Sequence, residues 1–247
     1  GRLWYQAGGI TVPRQSGKTE LVKAKTVHRL TRVAHKHGSQ RSLYVTQKRH
    51  KARQKLEQDF APGLRESRAF REVAATRARP QRAVEWRLSL NNGNEHIQFG
   101  RASYWQIDAP SRDGGHGDSL DDGTVDEAWA QRDSTVEDGI KPAMAARTLV
   151  GIGPQWWWLS TAGDATSFWM WRKMLAGRQA VDDPNARVFY FEYSAADDDD
   201  PGDPATWIRC SPALGITIDI DYIAGLWDEA QREGQESIDG FRRAYLN

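Results

Sequence analysis

An α/β fold, with a mainly parallel sheet that helices cover on both faces, is the fold class that this sequence predicts. Short apolar runs alternate along the 247 residues with longer segments whose apolar positions recur at helical spacing. Polar residues follow directly where several of these apolar runs end. Ligands of such sheets bind at the carboxyl ends of the strands, so these polar residues are the first candidates for a functional site.

Apolar runs and turn residues place the elements in chain order. Asn92 and Gly93 predict a hairpin between the strands on either side of them. The predicted strands are 10–12, 42–46, 83–90, 96–99, 104–107, 120–125, 156–161 and 188–193. The predicted helices are 19–37, 49–60 (ended by Pro62 and Gly63), a short one through Phe70, 137–146, 167–178 and most of 204–246, with a loop at 111–117. We expect a core over 1–195, then an acidic loop and a helical linker region over 196–247.

The composition of the chain limits the partners and the cellular compartment that can be expected for it. A net charge of +1 favours no particular partner, so the distribution of charge matters more. The single cysteine, Cys210, excludes an intrachain disulfide and fits a reducing compartment. No segment of the sequence reads as a signal peptide, and no apolar run approaches the about 20 residues that a membrane span needs. We therefore expect no membrane partner. The eleven tryptophans are expected mainly in the core.

A phosphate-binding loop is predicted between the first strand and the first helix. Residues 12–19 are Val-Pro-Arg-Gln-Ser-Gly-Lys-Thr. In a P-loop the backbone N–H groups cradle phosphates, the lysine reaches the β- and γ-phosphates, and the last hydroxyl holds Mg²⁺. Val12 stands where the full motif has glycine, so a loop before an ordinary helix is the alternative. The predicted nucleotide-binding residues are Gln15, Ser16, Gly17, Lys18 and Thr19.

Two further motifs follow predicted strands. Asp126 could hold Mg²⁺ and Glu127 could orient or deprotonate a water, although the pair could also be an acidic helix start. The strand before them is interrupted by charge at 121–122, so it is either short or directs those aspartates into the nucleotide pocket. Ser-Thr-Ala-Gly at 160–163 could sense the γ-phosphate through a hydroxyl, or Thr161 could cap a helix.

In this order the three motifs resemble the ATPase domain of tailed-phage terminase large subunits, the motors that package DNA into procapsids. That family often lacks the first P-loop glycine and carries an Arg-Gln pair, as Arg14 and Gln15 do here. Segments 46–48, 109–115, 207–215 and 241–247 are also similar to the family, so the match spans most of the chain. The family's adenine-contacting segment lies upstream of the first strand, where only Gly1 to Gly9 stand here.

The resemblance implies a RecA-like P-loop NTPase that uses ATP and Mg²⁺ to move double-stranded DNA into a procapsid. The implied partners are the DNA, a portal protein, a small terminase subunit and further copies of the chain in a ring. The implied location is the host cytoplasm, and the family's nuclease domain would follow Asn247, so no nuclease activity is expected here. A helicase-like translocase and a weakly active nucleotide-binding assembly module are the alternatives.

Roles for single residues follow from the same resemblance. Lys18 and Thr19 would bind phosphate and Mg²⁺, Asp126 would be the metal-binding aspartate, and Glu127 the catalytic glutamate.

Three further roles involve arginines and a threonine. Arg14 would contact the γ-phosphate, and Thr161 would belong to the motif that couples hydrolysis to movement. Arg112 or Arg101 could be an arginine finger that reaches a neighbouring subunit.

Lys and Arg residues form a basic face on two of the predicted helices. Such a face could follow DNA phosphates without reading their sequence, or could be an ordinary solvated face. The acidic run 197–200 is not a two-metal nuclease site, because consecutive residues cannot converge on one ion pair. The basic residues of the two helices are Lys23, Lys25, Arg29, Arg32 and Lys36, then Lys48, Arg49, Lys51, Arg53 and Lys55.

Overall fold

The computed structural model of the protein describes residues 1–72, 84–109 and 119–247. The predicted loop 111–117 and the candidate finger Arg112 lie outside the described residues. The remainder is an α/β fold, as the alternation of apolar runs and helical segments predicts.

The strands of the described residues form one sheet. They are β1 Ala7–Thr11, β2 Arg41–Val45, β3 Phe70–Glu72, β4 Val84–Ser89, β5 His96–Phe99, β6 Ser103–Asp108, β7 Asp122–Val125, β8 Gln155–Ser160 and β9 Val188–Glu192. Their order is β3-β4-β5-β6-β2-β7-β8-β1-β9. β2 pairs in parallel with β6 and with β7, whereas β5 pairs antiparallel with β4 and β6. The predicted hairpin and the parallel pairing around β2 are therefore confirmed.

Helices occupy most of the predicted helical segments. They are α1 Lys18–His28, α2 Ala34–His37, α3 Arg49–Lys55, α4 Ala61–Glu66, α5 Thr135–Ala145, α6 Phe168–Val181, α7 Pro204–Cys210, α8 Ile220–Glu233 and α9 Gln235–Phe241. π-helical turns join α1 to α2 and α3 to α4, and a further one, Arg242–Leu246, follows α9. Among the described residues no helix has the length and apolar character needed to cross a membrane.

The expected break at Pro62 and Gly63 is wrong. The π-helical turn Leu56–Phe60 comes first, so Pro62 stands in the first turn of α4, where its missing N–H is tolerated. The helix expected through Phe70 is also wrong. α4 ends at Glu66, and Phe70–Glu72 instead pairs with β4.

Contacts group the chain into two compact units. The first comprises Gly1–Gly8, Leu21–Asp126 and Asp133–Trp157, and the second comprises Gly9–Glu20, Glu127–Arg132 and Trp158–Asn247. In the first unit Trp105 stacks on Phe60 with the ring centroids 4.2 Å apart. In the second unit Trp158 stacks on Tyr190 at 5.6 Å. Both tryptophans are buried, as expected for core residues. The boundary at residues 195 and 196 stays a prediction.

Gly9 gives a prediction for stability. It lies against the buried ring of Trp158, which also stacks on Tyr190, and a Cβ at this position would overlap atoms of that ring. We expect Gly9→Ala to lower the free energy of unfolding by about 1–3 kcal/mol, measured by urea denaturation. Gly225→Ala is the matched control, because a Cβ there meets no atom within 4 Å. Equal stability of the Gly9→Ala variant and the wild type would contradict this packing.

Candidate functional site

The loop between β1 and α1 begins as an extension of the strand. The backbone N–H of Val12 donates to the carbonyl of Ser160 at 3.2 Å, and the side chain of Val12 is buried. Position 12 therefore has the environment of a strand residue. A buried apolar side chain stands here in place of the first glycine of the full motif.

Left-handed backbone conformations shape the middle of the loop. Gln15 has φ 59° and Gly17 has φ 77°. Left-handed residues within a turn are the building blocks of nests, in which successive backbone N–H groups form a concave anion site. A non-glycine residue in this conformation costs roughly 1–2 kcal/mol. The strain at Gln15 is the kind that accumulates at ligand-binding loops.

Lys18 is the first residue of α1, and its ammonium points back into the loop. Nζ donates to the carbonyl of Val12 at 2.9 Å and to the carbonyl of Pro13 at 2.7 Å. Thr19 follows in the first turn of the helix. The carbonyls of Val12 and Pro13 thus hold the ammonium of Lys18 beside the left-handed residues Gln15 and Gly17. A phosphate-binding lysine is needed at this position.

Asp126 lies directly after β7 and is buried. The hydroxyl of Tyr44 donates to its Oδ2 at 2.7 Å, and its backbone N–H donates to the carbonyl of Val45 at 2.8 Å. Two residues of β2 therefore hold Asp126, one through its carboxylate and one through its backbone. Sequence reasoning missed Tyr44, although a tyrosine within a buried strand needs a partner for its hydroxyl.

Glu127 is the second non-glycine residue of the site in the left-handed region, with φ 54°. A 3₁₀ turn, Ala128–Ala130, follows it, and two serines hold that turn. The Trp129 N–H donates to Oγ of Ser160 at 3.0 Å, and Oγ of Ser167 donates to the Trp129 carbonyl at 2.7 Å. The conformation of Glu127 is thus tied to the end of β8 and to the start of α6.

Thr161 is buried and follows β8 directly. Oγ of Ser160 lies 2.6 Å from its carbonyl oxygen. The alternative role of Thr161 as a helix cap is wrong, because α6 begins at Phe168 and Ser167 occupies the N-cap position. Ser160 was missed as a single residue, yet its hydroxyl, like that of Ser167, contacts the turn after Glu127.

The exposed Arg14 connects the loop to the end of the chain. Its backbone N–H donates to the carbonyl of Ala244 at 2.9 Å. Burial raises the pKa of Tyr245, and the positive charge of Arg14 acts in the opposite direction. No sequence pattern predicted that residues 242–246 lie against the loop. The other candidate arginine, Arg101, is exposed in the turn before β6, where its carbonyl accepts from Nε2 of Gln98 at 2.8 Å.

Several residues of the expected basic face are buried or paired with carboxylates. Arg29 is buried and donates to Oε1 of Gln40 at 3.1 Å, and Lys25 lies 2.6 Å from Oδ1 of Asp122. Arg49 bridges to Glu95 at 2.6 Å. Burial lowers the pKa of both Lys25 and Arg29, with the nearby Asp122 opposing the shift. Lys25 and Arg29 are interior residues. For these two, both interpretations of the basic face, a surface that follows DNA phosphates and a solvated surface, are wrong.

Among the residues that the structure describes, no group of three or more His, Cys, Asp or Glu side chains could hold a metal ion. Mg²⁺ in nucleotide sites takes one or two protein oxygens and completes its shell with phosphates and water. Thr19 carries a hydroxyl and Asp126 a buried carboxylate, and oxygen atoms of both kinds can serve as such ligands.

Comparisons with known proteins agree with this fold. The chain is similar to the large terminase of bacteriophage HK97, with a TM-score of 0.68 and 19% identity over 98% of this chain and 46% of that one. It is also similar to the large terminase ATPase domain of Thermus phage P74-26, with a TM-score of 0.54 and 17% identity over 98% of this chain and 87% of that one. The large terminase of another thermophilic bacteriophage, in complex with ATP-γ-S, matches with a TM-score of 0.55 and 13% identity over 94% of this chain and 45% of that one.

The chain thus spans about half of the HK97 protein and of the ATP-γ-S-bound terminase, and it has the fold of phage large terminase ATPase domains. No protein-family model matches the sequence, and no curated protein matches it significantly.

Proposed function

We propose that this chain is an ATP-hydrolysing domain of a viral DNA-packaging motor. The observation that carries the proposal is the loop at 12–19, in which Gln15 and Gly17 are left-handed and two carbonyls hold Lys18 at the start of α1. The shared fold supports it, since one structure with that fold is a large terminase in complex with ATP-γ-S. Release of phosphate from ATP that stops on removal of Mg²⁺ is the expected result in a steady-state assay.

The loop and the first residues of α1 bind the phosphates. The backbone N–H groups around Gln15 to Gly17 face the phosphates, and the ammonium of Lys18 neutralises charge on the β- and γ-phosphates. Arg14 is placed by the same loop to contact the γ-phosphate. The positive end of α1 adds to this field.

Thr19 and Asp126 are the proposed protein ligands of Mg²⁺. When bound, the ion would neutralise charge on the phosphates. Tyr44 fixes the orientation of the Asp126 carboxylate through the 2.7 Å hydrogen bond. Glu127 orients and deprotonates the attacking water, and Ser160 and Ser167 hold the turn that follows it.

Tyr44→Phe tests the support of Asp126. Removal of the hydroxyl takes one donor away from the buried carboxylate, so the orientation of the carboxylate is less well fixed. We expect the Mg²⁺ concentration for half-maximal ATP hydrolysis to rise about 10-fold, as for other residues that orient metal ligands. Tyr104→Phe in β6 is the control. An unchanged Mg²⁺ requirement in Tyr44→Phe would exclude this role.

Movement of double-stranded DNA is the proposed use of the hydrolysis, with Thr161 and Ser160 in the segment that couples the two. The proposed partners are a portal protein, a small terminase subunit and other copies of this chain in a ring that assembles on a procapsid in the host cytoplasm. Arg101 and Arg112 remain the candidates for a finger supplied to a neighbouring subunit. Packaging of DNA by procapsids that depends on this protein and on ATP is the corresponding assay.

A further inference from the structure

Asp122 is a charged residue in a fully buried strand. It is the first residue of β7, and its relative exposure is 0%. A buried parallel strand is normally apolar, and a buried carboxylate is costly unless it is paired. β7 is short, which agrees with one of the two alternatives from the sequence. The other alternative is wrong, because Asp121 bonds to Arg147 and Asp122 to Lys25.

Residues of several elements surround this ion pair. Nζ of Lys25 on α1 lies 2.6 Å from Oδ1 of Asp122 and donates to Oγ1 of Thr124 at 3.2 Å. Oγ of Ser42 on β2 donates to Oδ2 of Asp122 at 2.6 Å. The ring of Trp157 on β8 covers the ammonium, with its centroid 4.9 Å away. Contacts with β7, β2 and β8 therefore fix the geometry of the pair.

A pair of this kind adds little to stability, because removing two charges from water offsets most of their attraction. Burial lowers the pKa of Lys25, and the carboxylate of Asp122 opposes that shift. Apolar side chains would hold α1 against the sheet at least as strongly, but they would not specify one position along it. Hydrogen-bonded buried charges can specify a register.

The spacing of the pair links it to the candidate site. Lys25 follows Lys18 by seven residues, about two turns of α1, so the two side chains share a face of the helix. Asp122 and Asp126 are four residues apart, so they alternate onto the same side of the extended segment.

We propose that Lys25 and Asp122 are positioning residues, which hold α1 in one register on β7. This inference rests on the proposed function, because α1 begins with the proposed ligands Lys18 and Thr19 and β7 is followed directly by Asp126.

The test replaces both charges of the pair together, so that neither Lys25 nor Asp122 is left in the interior without its partner. The variant Lys25→Met/Asp122→Asn is compared with Lys23→Met/Asp59→Asn. Lys23 lies on the same helix and bridges to Asp59 at 2.8 Å, but this pair ties α1 to the turn Leu56–Phe60 rather than to β7. Affinity for Mn²⁺ is measured by electron paramagnetic resonance in the presence of ATP-γ-S, and amide hydrogen exchange of α1 and β7 is measured without nucleotide.

We expect the Lys25/Asp122 variant to keep its thermal unfolding midpoint, to bind Mn²⁺ about 10-fold more weakly and to exchange the amides of α1 faster. The Lys23/Asp59 variant is expected to match the wild type in both measurements. Lys25→Arg, which keeps the charge, is expected to bind Mn²⁺ more tightly than the double variant. Wild-type metal affinity and exchange in the Lys25/Asp122 variant would overturn the inference. If the wild type itself binds neither Mn²⁺ nor ATP-γ-S, the proposed function fails instead.

Discussion

Glu127→Gln is expected to bind ATP as the wild type does and to hydrolyse it about 10²–10⁴-fold more slowly. The substitution keeps the size of the side chain and removes its ability to accept a proton from water. Gln is no worse suited than Glu to the left-handed backbone at this position, where φ is 54°, so the fold should not change. Single-turnover release of phosphate measures the chemical step, and titration with a fluorescent ATP analogue measures binding.

Glu57→Gln is the control for this variant, because Glu57 is an exposed glutamate outside the site. Loss of nucleotide binding in Glu127→Gln, or a hydrolysis rate equal to that of the wild type, would remove Glu127 from the proposed role. Loss of binding would assign it to the structure of the loop that follows.

Lys18→Ala is expected to weaken binding of ATP and to abolish measurable hydrolysis. The ammonium is the group that the loop carbonyls of Val12 and Pro13 hold beside the proposed phosphate site, and nothing in alanine replaces its charge. A single truncation of a charged group that contacts phosphate in the transition state costs roughly 10²–10³-fold or more in rate. Phosphate release at saturating ATP and the far-ultraviolet circular dichroism spectrum are the two measurements.

The control for Lys18→Ala is Lys36→Ala, since Lys36 is exposed in α2 at the far end of the same helical segment. We expect Lys36→Ala to hydrolyse ATP at the wild-type rate. Hydrolysis by Lys18→Ala at that same rate, with an unchanged spectrum, would show that the loop is not a phosphate-binding loop.

Much of the fold follows from patterns that act over a few residues. The hairpin of β4 and β5 is predicted because alternation and an Asn-Gly pair are local signals. The start of α1, predicted at Thr19 and found at Lys18, and the end of β7 before Asp126 follow from local signals of the same kind. The break expected at Pro62 failed because a π-helical turn, which has no clear sequence signal, placed this proline at a tolerated position.

The hydrogen bonds that hold the site residues come from residues that are distant in sequence. These contacts could not be predicted. Tyr44 reaches Asp126 across 82 positions of the chain, and Ser160 reaches Trp129 across 31. Helical periodicity assigns Lys25 to a basic face, because it gives the direction of a side chain but not the carboxylate that the side chain meets. Asp122 stands out in the sequence as a misfit in its strand, and only the packing of α1 identifies its partner.

Displacement of a fluorescent ATP analogue from the wild-type protein, by unlabelled ATP and by AMP in the presence of Mg²⁺, tests the central claim most directly. Recognition rests on the loop, Lys18 and the Mg²⁺ ligands, all of which address the phosphate chain rather than the base. We therefore predict that ATP displaces the analogue at a concentration at least about 100-fold lower than AMP does, which corresponds to about 2.7 kcal/mol of binding free energy. Displacement by ATP and AMP at the same concentration would contradict the assignment of a triphosphate site to this loop.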